Sequence, residues 1–401
     1  MKIKRDITQH LLDLAKQFSA IAVMGPRQSG KTTLVQEAFP DYAYVSLENL
    51  DTRIIADEDP RGFLQAYANH KGLIIDEAQE VPALFSYMQG IIDQEYRPGF
   101  FILTGSQNFL MHEKITQTLA GRIALLTLLP LSIAELAKAD LLPEEYETLI
   151  IKGGYPQIYE RSNIDVRVWG SNYISTYVER DVRQLLNITD ILTFGRFLKL
   201  CAARIGNLIN YAELARDCDI SPHTAKEWIS ILETSYIIKL VAPYYRNFNK
   251  RVTQHPKLYF YDTSLVCQLL NIRTNDELFN HPLRGALFES LMISECFKYN
   301  YNHNEPPQIY FWRDAQGHEI DCVIEKSYGT LIPIEMKASK TMANSFFDGL
   351  IDWEKITKQE HTQKYVVYGG KDSIKRQKGD IYSWKDINHM LQLIYYHGGK
   401  K

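Results

Sequence analysis

Three groups of residues in this 401-residue chain combine types and spacings that can do chemistry. The first is Gly25-Pro26-Arg27-Gln28-Ser29-Gly30-Lys31-Thr32, followed by Thr33: a glycine-rich turn ending in a lysine and hydroxyls. Gly25 and Gly30 allow backbone geometry and close approach that a Cβ would hinder. The N–H groups of the turn can therefore face an anion. Lys31 adds a mobile positive charge for the outer phosphates, and the Thr32 hydroxyl is placed to ligate magnesium. This is the P-loop pattern in full, and it predicts ATP and Mg2+ bound between Gly25 and Thr33. The second group is Asp76-Glu77, where Asp76 would hold magnesium through its water shell and Glu77 would orient or activate the water that attacks the γ-phosphate. The third is Glu289, Glu319, Asp321, Glu335 and Lys337, acids and a lysine suited to holding a divalent metal and a hydrolytic water.

Each group needs an element to present it. Ile21 to Met24 reads as a strand and Thr32 to Phe39 as the helix after it, so the turn lies at a helix N-terminus whose dipole favours negative charge. Tyr44 to Leu47 reads as a second strand, and Gly72 to Ile75 as an apolar strand ending in Asp76 and Glu77. Phe100 to Gln107 is another buried strand with small polar residues at its C-terminal end, the edge where ligands bind in open parallel sheets. Ser106 or Gln107 is placed to hydrogen-bond the γ-phosphate or the attacking water, while Thr104 reads as satisfying local backbone. The guanine-reading Asn-Lys-x-Asp pattern fails at the last position of Asn249-Lys250-Arg251-Val252, which favours ATP over GTP. Arg122 precedes the apolar stretch Ile123 to Leu128, and two readings stand for it: a surface charge, or a guanidinium reaching a γ-phosphate in its own subunit or a neighbour's.

From roughly 136 to 275 the pattern turns helical. Gly153-Gly154-Tyr155-Pro156 breaks the chain. Trp169 to Leu186 is helix-like, and its charges Glu179, Arg180, Asp181 and Arg183 read as a solvated or interdomain face, with Arg180 able to approach the nucleotide. Tyr211 to Asp217, a turn, and a helix capped by Ser221 with Pro222 in its first turn have helix-turn-helix spacing. Ala225, Trp228, Ile229 and Leu232 form the apolar face, leaving His223, Thr224, Lys226 and Glu227 outward. Strands at Tyr236 to Val241 and Lys257 to Tyr261, joined by a loop holding Arg246, Lys250 and Arg251, complete a winged-helix pattern. It serves equally as a DNA-phosphate contact or as a protein-docking module.

The last third, roughly 276 to 401, opens with a helix from Arg284 to Lys298 that has Leu287, Phe288, Leu291 and Met292 on its core face and Glu289 beside them. Strands follow at Tyr310-Phe311-Trp312, Glu319 to Ile324 and Ile332 to Lys337. Residues two apart on a strand share a face, so Glu319 pairs with Asp321, and Glu335 with Lys337. Metal chemistry and residual ion pairing both remain open for this set.

Hydrophobic residues make up 45% of the chain and charged residues 23%, a globular composition, and the net charge of −3 excludes a global basic field for nucleic acid. Five cysteines without a CxxC pair read as reduced structural thiols of a cytoplasmic protein. Lys2, Lys4, Arg5, Asp6 and Asp13 interrupt any secretory core, and the most apolar stretch, Ile123 to Ile133, is short and contains Pro130, so no membrane association is expected.

Over nearly its whole length the chain resembles the prokaryotic AAA-type ATPases that carry a C-terminal domain of unknown function with a winged helix and a restriction-endonuclease-like, PD-(D/E)XK core. The matching stretches are Gly25 to Thr32, Ile74 to Gln79, Leu103 to Ser106, Leu119 to Arg122, Pro256 to Asp262, Gly285 to Glu289, Glu319 to Asp321 and Ile334 to Lys337. The resemblance implies an α/β fold: a three-layer parallel-sheet P-loop domain over 1–135, a helical and winged-helix domain over 136–275, and a nuclease-like α/β domain over 276–401. It implies nucleotide contacts from Lys31, Thr32, Asp76 and Glu77, an arginine finger at Arg122, and a nuclease-like constellation at Glu289, Asp321, Glu335 and Lys337, with Asp321 and Glu335 as metal ligands. It also implies self-association as a ring or other oligomer. The expected function is an ATPase that moves its later domains on branched or duplex DNA. The alternative is an ATP-dependent switch that binds protein or DNA through a non-catalytic C-terminal domain.

Overall fold

In the computed structural model, five parallel strands form one sheet in the order β2-β3-β4-β1-β5: β1 Ala20–Met24, β2 Ala43–Ser46, β3 Leu73–Asp76, β4 Phe101–Gly105 and β5 Ile123–Thr127. The structure describes residues 3–106, 118–161, 163–177, 191–244, 255–326, 329–358 and 363–396. The expectations placed on Gln107, Glu179, Arg180, Asp181, Arg183, Arg246, Lys250 and Arg251 lie outside these described residues.

The chain packs as two compact units. The first comprises Met1–Leu131 with Thr234–Tyr236 and Asn300–Glu305; the second comprises Ser132–Glu233, Ile237–Tyr299 and Pro306–Lys401. The five-stranded sheet belongs to the first unit. Its strands β1, β3 and β4 are buried along their whole length, which explains their continuous apolar sequences in place of alternation. On one face, Ile21, Val23, Ile74, Ile102 and Leu126 pack with Leu11 of the Thr8–Ala15 helix and with Leu34 and Val35 of the Lys31–Ala38 helix. Each such side chain, fully buried, contributes about 1.5–3 kcal/mol. Register aligns Met24 with Gly105, Ile75 with Leu103 and Ser46 with Asp76. The loops leaving β1, β3 and β4 therefore collect along one edge, with β4 between the strand that feeds the P-loop and the strand that ends in Asp76.

The second unit holds three helices, Ile191–Ala203, Tyr211–Cys218 and Pro222–Thr234, followed by an antiparallel pair, β6 Ile238–Val241 and β7 Lys257–Phe260. The Thr224 N–H donates to the Ser221 hydroxyl at 3.0 Å, so Ser221 caps its helix. Ala225, Trp228, Ile229 and Leu232 are buried, and the Trp228 ring lies 5.1 Å from both Phe194 and Phe197. Tyr236 and Ile237 precede β6 instead of joining it, and Tyr236 takes a left-handed φ of 58°.

A six-stranded mixed sheet closes the second unit in the order β12-β13-β11-β10-β9-β8, with β8 Ile309–Arg313, β9 Glu319–Glu325, β10 Leu331–Lys337, β11 Tyr365–Tyr368, β12 Ile374–Arg376 and β13 Gly379–Ser383. The β8-β9-β10 strands are antiparallel, whereas β10 pairs with β11 in parallel. That parallel step requires a crossover, and the helix Asp348–Thr357 lies in it. Its Leu350 and Trp353 pack on Trp312, Ile320, Val323, Val366 and Ile381. The helix Arg284–Asn302 precedes the sheet and carries Glu289.

Candidate functional site

Strand β1 ends at Met24 and the chain turns at once through Gly25, whose φ is 151°. A Cβ here would lie 2.1 Å from the Leu128 carbonyl oxygen, so only glycine permits this turn. Gly30, with φ 92°, begins the Lys31–Ala38 helix. The buried Lys31 ammonium donates to the carbonyls of Gly25 at 3.0 Å and Pro26 at 2.8 Å, which holds its charge inside the turn. Arg5 braces the same loop, donating to the Ser29 carbonyl at 2.7 Å and the Leu129 carbonyl at 2.6 Å. Arg27 lies 3.6 Å from Glu48.

Asp76 ends β3 facing the turn. Its carboxylate accepts the Thr32 hydroxyl at 3.0 Å, the Tyr44 hydroxyl at 2.8 Å and the Thr104 hydroxyl. Thr104 thus serves Asp76 instead of the local backbone expected for it. Glu77 follows in a left-handed conformation with φ 54°, which carries its side chain toward the end of β4. There it accepts from the Ser106 N–H at 3.3 Å, the Ser106 hydroxyl at 3.0 Å and the Gln79 amide. Burial pushes the Glu77 carboxyl up, but the charge of Lys31, the Gln79 amide, Arg27 and Ser106 together hold it below the usual range, so it is ionised. The first unit therefore brings Gly25 to Thr33, Asp76, Glu77 and Ser106 to one sheet edge. Hard oxygen donors on Thr32 and Asp76 fit Mg2+.

Arg122 does not join them. It precedes Ile123, which pairs with Ala20 at the start of β1, so it lies at the opposite sheet edge, a five-residue strand of roughly 16 Å from the P-loop. Its guanidinium holds Asp93 in a two-point ion pair at 2.6 and 3.0 Å. The expectation that Arg122 reaches a γ-phosphate in its own subunit is corrected on this geometry: parallel register fixes the start of β5 at the wrong edge.

In the second unit, Glu289, Glu319 and Asp321 bring carboxylate oxygens within 4.8 Å of one another. The Met336 N–H donates to Asp321 at 2.8 Å. Lys337 Nζ donates to Glu335 at 2.6 Å and lies 3.9 Å from Asp321. The four residues expected to converge, Glu289, Asp321, Glu335 and Lys337, are thus linked through Asp321. Burial, then the charge of Asp321, pushes Glu289 up to about 7 and Glu335 up to about 8. Burial pulls Lys337 down, but Asp321 and Glu335 outweigh it and keep Lys337 charged.

Sequence reasoning missed two further members. Lys257, at the start of β7, donates to Glu289 at 2.8 Å and also meets Glu319, and the Tyr259 hydroxyl donates to Glu289. Both residues share one face of a strand by two-residue spacing, the signal that could have found them. Tyr44 and Arg5 in the first unit were missed as well.

An AAA domain family matches residues 17–137, a domain of unknown function (DUF8612) matches 143–276, and a second domain of unknown function (DUF4143) matches 284–387. The uncharacterized proteins Rv2008c of Mycobacterium tuberculosis and Mb2031c of Mycobacterium bovis are each 30% identical to this chain over 356 residues, covering 87% of it and 77% of theirs. Among solved structures, the Walker-type ATPase PABY2304 of Pyrococcus abyssi covers 66% of this chain and 95% of its own, with 15% identity and a TM-score of 0.46. The RuvB Holliday junction branch migration motor of Thermotoga maritima covers 60% of this chain and 90% of its own, with 18% identity and a TM-score of 0.33. Among the described residues, no helix is long and apolar enough to cross a membrane.

Proposed function

The chain belongs to the family of Rv2008c and Mb2031c and carries an AAA-type ATPase domain, and from that premise we propose that it binds ATP with Mg2+ and hydrolyses it to drive movement of its later domains on branched or duplex DNA. One observation carries the reading: Thr32 and Thr104 converge on Asp76 while Ser106 orients an ionised Glu77, all beside the Lys31 turn.

Bound Mg2+ would neutralise charge between the outer phosphates, held by the Thr32 hydroxyl and, through water, by Asp76. The backbone N–H groups from Pro26 to Thr33 would cradle the phosphates and Lys31 would follow the charge of the γ-phosphate. Glu77 would accept a proton from the attacking water, with Ser106 fixing its carboxylate. Arg122 would act on a neighbouring copy's nucleotide within a ring or other oligomer, since its own lies at the far edge. The DNA part rests on the helix-turn-helix spacing of Tyr211–Cys218 and Pro222–Thr234 and on the family resemblance. The division at about 275 and a metal-dependent phosphodiesterase role for Glu289, Asp321, Glu335 and Lys337 belong to the same proposal. A second reading, an ATP-dependent switch with a non-catalytic C-terminal region, is favoured by the ion pairs that Lys257 and Lys337 make with those acids.

The test is ATP binding and turnover by the full chain, measured with and without junction, duplex and single-stranded DNA. Lys31→Ala is expected to abolish turnover, and stimulation by one DNA structure supports the motor. Turnover by Lys31→Ala close to that of the parent would remove both readings; turnover indifferent to every DNA would leave only the switch.

A further inference from the structure

The side chain of Lys257 is 3% exposed, although an ammonium is among the costliest groups to bury. What compensates it is a set of acids delivered by two different elements. Glu289 comes from the Arg284–Asn302 helix, and Glu319 and Asp321 come from β9, while Lys257 itself comes from β7 of the hairpin before them. Lys257 Nζ lies 2.8 Å from Glu289 and contacts Glu319, two of the three carboxylates whose oxygens lie within 4.8 Å of one another. Oxygens so grouped can surround a divalent ion, whose bonds to oxygen run about 2.0–2.6 Å. They can equally surround one ammonium. An ammonium seated among these oxygens and a divalent ion compete for the same ligands. Arg313, 3.2 Å from Glu319, and Lys337 complete the set. Three cations already face the carboxylates of Glu289, Glu319, Asp321 and Glu335, so a divalent ion added to the intact set would leave it net positive.

We infer that Lys257 is the resident cation of this cluster: its ammonium holds the place a divalent ion would take, and Mg2+ or Mn2+ enters only when Lys257 withdraws. The inference rests on the metal reading of these acids and names what governs it. It makes Lys257, at the start of β7, the gate to these acids. Phosphodiester chemistry in the second unit is then off by default and depends on moving one side chain.

Mn2+ binding to the full, nucleotide-free chain tests this without any activity assay, using calorimetry or the electron paramagnetic resonance of free Mn2+. Asp321→Asn identifies the cluster's share of binding. Lys257→Met is expected to gain one Mn2+ site at least about 10-fold tighter than any in the parent, lost again in Lys257→Met/Asp321→Asn. Since Lys257→Met leaves Glu289 without a cationic partner, Lys257→Met/Glu319→Gln provides a variant with one fewer carboxylate charge and two acids intact. Thermal melts of both variants should rise with Mn2+, whereas the parent's should not. Tight, Asp321-dependent binding already present in the parent would overturn the gate and leave the metal reading standing. Absence of binding in the parent and both Lys257 variants, with no shift in any melt, would overturn the two together.

Discussion

The Thr32 hydroxyl donates to the Asp76 carboxylate at 3.0 Å, joining the P-loop helix to the end of β3 across the strand that lies between β1 and β3. That strand contributes its own hydroxyl, Thr104, to the same carboxylate. Asp76 is thereby fixed from two sides before any nucleotide arrives, and its orientation is part of the folded sheet.

Replacing Asp76 by Asn removes the charge while nearly keeping the shape. Turnover should fall about 100-fold or more, with nucleotide affinity in EDTA little changed, because the loss concerns metal-assisted steps. Thr104→Val should cost less, roughly 10-fold in kcat, since it removes one of three hydroxyl donors to Asp76. Equilibrium binding with and without Mg2+, run beside steady-state kinetics, separates the two effects. Equal loss of affinity in EDTA would assign Asp76 a structural role only.

Glu77→Gln should bind ATP normally and lose about 10²–10⁴ in hydrolysis, the range expected on removing a general base. The pH dependence has a defined sign. The folded carboxyl lies below its ordinary value, so the stability it adds is present above the unfolded value and is lost as pH falls through the folded one. Glu77 should accordingly stay ionised through pH 5, giving kcat/KM no acid limb of its own between pH 7 and 5. A limb near pH 6 that disappears in Glu77→Gln would contradict this assignment.

The gathering of these residues at one sheet edge was legible because its parts are local in sequence: the turn from Gly25 to Thr32, the acids closing β3 and the small polar residues closing β4 all fall where strands end. The helical faces around Trp228 were legible for the same reason, through 3.6-residue spacing. Lys257, Tyr44 and Arg5 were not, since each meets its partners from 24 to 124 positions away; the two-residue spacing of Lys257 and Tyr259 marks a shared strand face but not the acids they meet. Arg122 shows what residue type leaves open: strand register places it at the far end of the sheet, which removes the reading in its own subunit and keeps the surface-charge and neighbouring-subunit readings.

The proposed phosphate role of Arg122 requires a neighbouring copy, since its own P-loop lies at the other sheet edge. Arg122→Ala should then lower turnover, and mixing it with Lys31→Ala should restore part of it, because each protein supplies what the other lacks. Sedimentation with nucleotide should show oligomers over the same concentration range. If its ion pair with Asp93 is merely a surface contact, the melting temperature of Arg122→Ala stays at the parent's value and mixing restores nothing.

Glu335 and Glu289 give the second unit an unusual dependence on pH. Burial, then the nearness of Asp321, pushes their carboxyls up to about 8 and about 7 from an ordinary value of 4.5. Between that ordinary value and pH 8 the folded chain holds more protons than the unfolded one, so stability must fall as pH rises. The contribution is fully present below about pH 4.5 and gone above about 8. Glu335→Gln keeps an acceptor for Lys337 but cannot ionise, so it should match the parent at pH 5 and melt a few degrees higher at pH 9, with a flatter profile between. Melting curves at four pH values decide the matter: a parent whose stability rises over that window would mean these carboxylates are ionised and held by Lys257 and Lys337 as permanent ion pairs.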